Sequence, residues 1–227
     1  DIKGTFKDSI PIMMKLLDIK GNILPLTEDN ANLIGITDDN KKIIGEEQIT
    51  KCPNKIKKIE YDQKITINQQ VISAVNESDL IIFSSGSLLT SIAPHLINKT
   101  LVKALKKSSA PKMYICNLFT QPGETDNFKV SDHIKILESY LGSKSIDVVV
   151  ANNNMLDSKL VNIYQTTEQK DPVLLDEENL KKLNVKILAD DLAKIEDGVY
   201  RHDSLKTAYL IFSYLMNSSK VTKENNQ

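Results

Sequence analysis

Tryptophan is absent from this chain of 227 residues, and aromatic residues make up only 5% of it. A surface that grips single-stranded nucleic acid by stacking bases on rings is therefore poorly provided for. Charge of one sign is lacking too: 29 Lys and Arg stand against 30 Asp and Glu, a formal net charge of −1. Without a global basic field to hold a phosphate backbone, no nucleic-acid partner is expected. Cysteine is scarce. Cys52 and Cys116 form no Cys-x-x-Cys pair, and with His95, His133 and His202 scattered between segments no zinc site is predicted from spacing. A disulfide-built secreted scaffold is equally unsupported. No apolar run reaches the ~18 residues of a membrane span. What remains is an ordinary globular composition, 41% hydrophobic and 26% charged.

Hydrophobic periodicity places an amphipathic helix over residues 5–19, carried by Phe6, Ile10, Met13, Met14 and Leu17 and ended by Gly21-Asn22. A short strand at Ile23–Leu26 follows. Asn32–Ile36 and Lys42–Ile44 flank a turn, and Lys55–Tyr61 supplies another strand, together a small antiparallel β insert near the N-terminus. The pattern then changes. Strands at Leu80–Phe83, Lys112–Cys116, Asp147–Val150 and Val185–Leu188 alternate with helices at Gln69–Asn76, His95–Lys107, Ser131–Tyr140, Met155–Ile163, Glu177–Leu183 and Leu205–Met216, with Pro172–Leu174 lying between two of them. Repeated βα units predict an α/β, Rossmann-like domain, a mostly parallel sheet with helices on both faces. The expected domain is a single one over residues 1–220. The polar residues from Asn217 onward are expected to fray, and 221–227 to form a disordered tail.

Ligands bind open α/β sheets at the carboxyl ends of the strands, and three such ends carry polar loops. Asn117-Leu118-Phe119-Thr120-Gln121-Pro122-Gly123-Glu124-Thr125-Asp126 is the densest. Pro122-Gly123 signals a turn. Asn117, Thr120 and Gln121 suit a base or sugar edge, while Glu124 and Asp126 suit hydroxyls or a divalent ion. The plain alternative, helix capping, is already served by Ser131 and Asp132. Ser84-Ser85-Gly86-Ser87-Leu88-Leu89-Thr90-Ser91 follows an earlier strand. It reads either as an oxyanion or phosphate cradle built from Ser85, Gly86, Ser87 and Thr90, or as a Ser-rich connection. No Lys follows in the Walker manner, so it is not a P-loop. Tyr200-Arg201-His202-Asp203-Ser204 reads as a loop before the last helix, with Asp203 or Ser204 as N-cap and Arg201 free to fork onto a phosphate. His202 beside Asp203 invites a general-base reading, but no nucleophile accompanies it. Thr27, Asp29 and Asn30 form a fourth group, either a metal or sugar site or a solvated turn.

These segments resemble the gluconeogenesis factor (YvcK-like) family, relatives of 2-phospho-L-lactate transferase. The carrying residues are Leu24-Pro25-Leu26-Thr27-Glu28-Asp29-Asn30, Ser78-Asp79-Leu80-Ile81 into Gly86-Ser87-Leu88-Leu89-Thr90-Ser91-Ile92-Ala93-Pro94, Cys116-Asn117-Leu118, Thr120-Gln121-Pro122-Gly123-Glu124-Thr125-Asp126, Ser131-Asp132-His133 and Arg201-His202-Asp203. Where the family has Gly-Pro before the Gly-Ser pair, this chain has Ser84-Ser85. The resemblance implies a Rossmann-type fold opened by a glycine-rich turn. No such turn occurs here, so the chain is expected to be the carboxyl-terminal part of a larger domain, its N-terminal glycine-rich half of roughly 80–100 residues missing. It further implies binding of UDP-N-acetylglucosamine in a bacterial cytoplasm, a regulatory role in carbon metabolism and cell-shape maintenance, and no settled reaction. Tyr164 and Arg201 match positions linked to sugar-nucleotide binding. Taken alone, Tyr164 reads as packing. No cofactor is assigned beyond the nucleotide sugar as ligand, Mg²⁺ stays open, and no metal ligand is assigned. The alternative function is a metal-dependent phosphotransferase, in which Asp29, Glu124 or Asp126 would hold Mg²⁺. A homo-oligomer and a protein partner in envelope synthesis stay open.

Overall fold

The computed structural model describes residues 6–224. Its first element, α1 (Phe6–Leu16), buries Ile10, while Ile12, Met13 and Leu16 stand exposed. The expected start at residue 5 lies outside the described residues. Ile23–Leu26 forms no strand. Pro25 has no N–H to contribute to a ladder, and its carbonyl accepts from Asn68 Nδ2 while that of Leu26 accepts from Asn68 N.

The insert is a three-stranded antiparallel sheet. β1 (Leu33–Thr37) pairs with β2 (Lys42–Ile44) through Ile34 opposite Ile44, and with β3 (Ile56–Tyr61) through Leu33 opposite Tyr61. Between β2 and β3 lies α2 (Glu46–Thr50), a short helix that the sequence reading missed. Its Ile49 packs over Gly35, where a Cβ would come within 3.0 Å of Ile49 Cγ1. Leu33, Ile49, Ile56 and Ile59 then bury against Leu89 and Ala93 of the next unit.

α3 (Gln69–Glu77) is capped by the Asn68 side chain, which accepts from Gln70 N. β4 (Ile81–Phe83) follows, then a π-helical turn, Leu88–Ile92, and α4 (Ala93–Leu96). The single helix expected over His95–Lys107 is broken. Asn98 takes extended backbone and caps a new helix, α5 (Lys99–Lys107), by accepting from Thr100 N and Leu101 N. The chain continues through β5 (Lys112–Ile115), α6 (Val130–Leu141), β6 (Val148–Asn152) and α7 (Ser158–Ile163), then a second π-helical turn at Tyr164–Glu168. α8 (Glu177–Lys182) and β7 (Lys186–Asp190) complete the βα units.

The four strands are parallel, in the order β4-β5-β6-β7. Adjacent parallel strands joined by right-handed crossovers send their helices to one face. The side chains sort by strand alternation. Tyr114 and Val149 enter a core shared with Leu101, Ile134, Leu137 and Leu180 of the helices. Met113, Ile115, Val148 and Val150 turn to the opposite face, where Leu192 and the last helix cover them through Leu210, Ile211 and Tyr214. Full burial of each such aliphatic chain contributes about 1.5–3 kcal/mol.

After β7 the structure departs from the expected loop. β8 (Ala193–Glu196) and β9 (Val199–His202) form an antiparallel hairpin. Asp197 and Gly198, both at positive φ (49° and 78°), make its two-residue turn. Arg201 therefore lies on a strand. α9 (Ser204–Glu224) runs beyond Met216 and through the first residues of the span expected as a tail. Residues 225–227 lie outside the described part. No helix among the described residues is long and apolar enough to cross a membrane.

Candidate functional site

Parallel pairing sets Phe83 beside Tyr114 at the carboxyl ends of β4 and β5, so the loops that leave those strands start as neighbours. The hairpin then folds back over them. His202 Nε2 lies 3.0 Å from the Cys116 carbonyl, and Asp203 N donates to Leu192 O at 2.7 Å. Because its partner is a carbonyl, His202 Nε2 carries the proton, and burial holds the ring's pKa below its usual value. Asp203 also caps α9, accepting from Leu205 N and Lys206 N. These contacts enclose an open polar cavity of about 320 Å³. Ser85, Gly86 and Ser87 from one loop, Asn117 and Phe119 from the next, and Arg201 on β9 line it. The Arg201 guanidinium has no hydrogen bond or ion pair among the described residues, and the residue is exposed. Neither Ser84 nor Ser85 takes positive φ, so serine meets this turn without strain.

Beneath the cavity the two loops are riveted by a carboxylate. Glu124 is 6% exposed. It accepts from Ser87 Oγ at 2.7 and 2.8 Å, Leu89 N at 3.2 Å and Gln121 Nε2 at 3.0 Å. Ser87 Oγ in turn accepts from Thr90 N and Thr90 Oγ1, and the Thr90 hydroxyl lies 3.5 Å from that of Thr50. Burial pushes the Glu124 carboxyl up, against the opposing pull of the Ser87 and Leu89 hydrogen bonds. Asn117 is a second rivet: its Nδ2 donates to Gly86 O at 2.8 Å, and its Oδ1 accepts from Tyr114 OH at 3.3 Å. Gly123, at φ +76°, lets the loop approach the insert, since a Cβ there would sit 2.7 Å from Cys52 O; Ile56 N donates to its carbonyl.

The structure divides the residues singled out in the sequence. Ser85, Gly86, Ser87, Asn117 and Arg201 meet at the cavity. Thr90, Gln121, Gly123 and Glu124 stand in the layer beneath. Thr120 is 3% exposed and exchanges hydrogen bonds with the Asp171 backbone. Tyr164 is 9% exposed, its ring stacked on Phe119 at 4.3 Å and its hydroxyl accepting from Tyr200 N at 3.0 Å. It supports two cavity residues from behind and leaves no open ring face on the cavity. Thr27, Asp29 and Asn30 do not line the cavity. Thr27 Oγ1 accepts from Asp29 N, and the Thr66 N–H holds the Asp29 carboxyl below its usual range; the Asn30 carbonyl accepts from Gln63. Phe119 and Tyr200, not singled out from the sequence, join the lining. The usable signal was Asp197-Gly198, a two-residue hairpin turn that carries Tyr200 and Arg201 back over the strand ends.

Among the described residues, Asp29, Glu124 and Asp126 do not assemble into a divalent-cation site. Glu124 is spent on the rivet, Asp126 Oδ2 accepts from Gly123 N and Asp29 is tied to Thr66. No group of three or more His, Cys, Asp or Glu side chains converges among the described residues.

Residues 1–193 match the model of the family described as 2-phospho-L-lactate transferase CofD. The chain is 39% identical over 216 residues to a Thermotoga maritima protein that bears the gluconeogenesis factor name provisionally, covering 92% of this chain and 67% of that one. It is 32% identical to the gluconeogenesis factor of Bacillus subtilis, over 95% of this chain and 68% of that protein. The crystal structure of a Bacillus halodurans protein of the UPF0052 family superposes with a TM-score of 0.84 at 32% identity, over 92% of this chain and 67% of that one. The chain thus spans about two thirds of these relatives, and 49% of a longer one from Clostridium acetobutylicum. The strand-end loops, their spacing and these likenesses agree that the chain belongs to the 2-phospho-L-lactate transferase CofD family, within its gluconeogenesis factor branch.

Proposed function

We propose that the protein binds a UDP-sugar, UDP-N-acetylglucosamine in the first instance, and acts in the bacterial cytoplasm as a regulator of carbon metabolism and of cell-envelope and cell-shape maintenance. One observation carries the reading: an unpaired arginine on β9 lines the same open polar cavity as a Ser-Gly-Ser backbone turn, at the carboxyl ends of parallel strands. Guanidinium and turn amides are complementary to a diphosphate, one by bidentate donation and the other by main-chain N–H groups. The names of the relatives support the metabolic half of the reading. A binding role is favoured because the buried polar groups beneath the cavity are consumed in hydrogen bonds to one another, which suits a rigid receptor.

Calorimetric titration of the intact protein with UDP-N-acetylglucosamine tests it. A Kd tighter than ~1 mM is expected, weakened tenfold or more by Arg201→Ala. Absence of heat with any nucleotide sugar overturns the reading. Metal-dependent product formation from a nucleotide-activated substrate replaces it with the phosphotransferase.

A further inference from the structure

Leu118, itself buried, contributes to the lining of two cavities. One is the polar cavity just described. The other is a larger cleft of about 540 Å³ that Leu118 also lines, next to the carboxyl end of β6. Its walls are aliphatic, formed by Leu118, Val161, Pro172 and Val173. At its mouth Met155 is 93% exposed and Leu174 61% exposed, two large apolar side chains that gain most when something covers them. Its polar edge is the run Asn152-Asn153-Asn154. Two of these carboxamides are already used. Asn152 Oδ1 accepts from Leu192 N and its Nδ2 donates to Asn154 O, while Asn154 Oδ1 accepts from Met155 N. Asn153 is held by its backbone alone, donating to Asp190 O, and its carboxamide has no partner among the described residues.

We propose that this cleft seats the uncharged heterocyclic base of the ligand whose diphosphate lies across Leu118 in the polar cavity; the inference rests on the nucleotide reading above. A flat ring buries both faces on aliphatic walls, and its polarity is confined to its edge. One free carboxamide, donor and acceptor together, answers an imide edge. A hexose would bring several hydroxyls against these walls with only Asn153, Ser158 and the Asn154 Nδ2 near to meet them, and unpaired buried hydroxyls are costly. The volume falls in the usual range for small-molecule sites. The two lobes then differ in kind: charge is recognised on one side of Leu118 and the shape of a ring on the other.

The test uses two probes, UDP and inorganic pyrophosphate, titrated into the intact protein. Asn153→Ala and Leu174→Ser, both at exposed positions, are expected to weaken UDP about tenfold and to leave pyrophosphate within about twofold, whereas Arg201→Ala weakens both. With methyl-labelled methionine, the Met155 resonance is expected to move on adding UDP and to stay still on adding pyrophosphate. UDP affinity unchanged in both variants, pyrophosphate weakened along with it, or a Met155 methyl that ignores bound UDP each overturns the base cleft and leaves the diphosphate reading standing. If the wild-type protein binds neither probe, both fall together.

Discussion

Two sets of polar side chains share the carboxyl edge of the parallel sheet, one above the other. Glu124 and Thr90 beneath the cavity, with Ser87 and Asn117 at its edge, spend their hydrogen bonds on each other and on the loops they join. Arg201 and Ser85, which line the cavity, spend none among the described residues. The energetics of the two sets are opposed. In the riveted set Glu124 and Thr90 are taken out of water and must keep their partners, because a buried donor or acceptor left alone costs about 1–3 kcal/mol. In the upper set Arg201 is exposed and Ser85 partly so, and a protein partner is optional until a ligand arrives. Removing a lower residue should therefore cost stability first, and removing an upper one should cost binding alone.

The largest loss is expected from Glu124→Ala. It strands Ser87 Oγ, Leu89 N and Gln121 Nε2 at once, so unfolding in urea should show a loss of about 3 kcal/mol. Glu124→Gln keeps an acceptor in place and should lose less than half of that. If Glu124→Ala unfolds with the wild-type midpoint, the riveting role is wrong. Next comes Gly123→Ala. A methyl group 2.7 Å from the Cys52 carbonyl, on a residue at φ +76°, should cost about 2 kcal/mol. Cys52→Ala leaves that carbonyl in place and should not rescue it. A Gly123→Ala protein as stable as wild type would mean that the loop does not lie on the insert this closely.

A third effect depends on pH. His133 is fully buried on α6 between Tyr114 and Phe128. Its Nδ1 lies 3.1 Å from the Lys129 carbonyl and therefore carries the proton, so Nε2 is a buried acceptor with no partner. Burial lowers its pKa. With the folded value below the unfolded one, the unfolded chain binds more protons as pH falls. The contribution of His133 is thus complete above about pH 6.5 and is lost below it, with a slope of at most ~1.4 kcal/mol per pH unit. His202 acts in the same sense. Glu124, raised by burial, acts in the opposite one: its contribution is present in acid and fades as pH rises through its folded value. The difference between wild type and His133→Phe isolates one group. The variant should be close to wild type at pH 7.5 and should lose less stability by pH 5.5; parallel curves would refute the assignment.

The parallel unit was legible because β-branched and aliphatic runs alternate with helical periods on a scale the chain repeats four times. The strand-end loops were legible because that architecture places them on one edge. The division of labour inside them was not. Glu124 and Ser87 are 37 positions apart, and nothing local tells a buried carboxylate from a solvated one. Tyr164 was read as packing from its own pattern and as a ligand contact from the resemblance. The structure puts it directly behind Phe119 and Tyr200. The β8–β9 hairpin escaped because its four-residue strands are half exposed, so their apolar alternation is weak, although Asp197-Gly198 marked the turn. The break at Asn98 escaped for a related reason: the flanking residues keep helical spacing, and only the cap shows that they belong to two helices.

The smallest effect on stability is expected where the effect on binding is greatest. Arg201 extends from an edge of the hairpin, pairs across it with Lys194, and makes no side-chain hydrogen bond among the described residues. Arg201→Ala should therefore shift the urea midpoint by less than about 0.5 kcal/mol, and removing one of two facing cations could even relieve repulsion slightly. Arg201→Lys keeps the charge but loses the fork, so it should recover only part of the affinity for a diphosphate. Stability that falls together with binding in Arg201→Ala would move the arginine into the lower layer, and the contrast between rivet and rim would no longer hold.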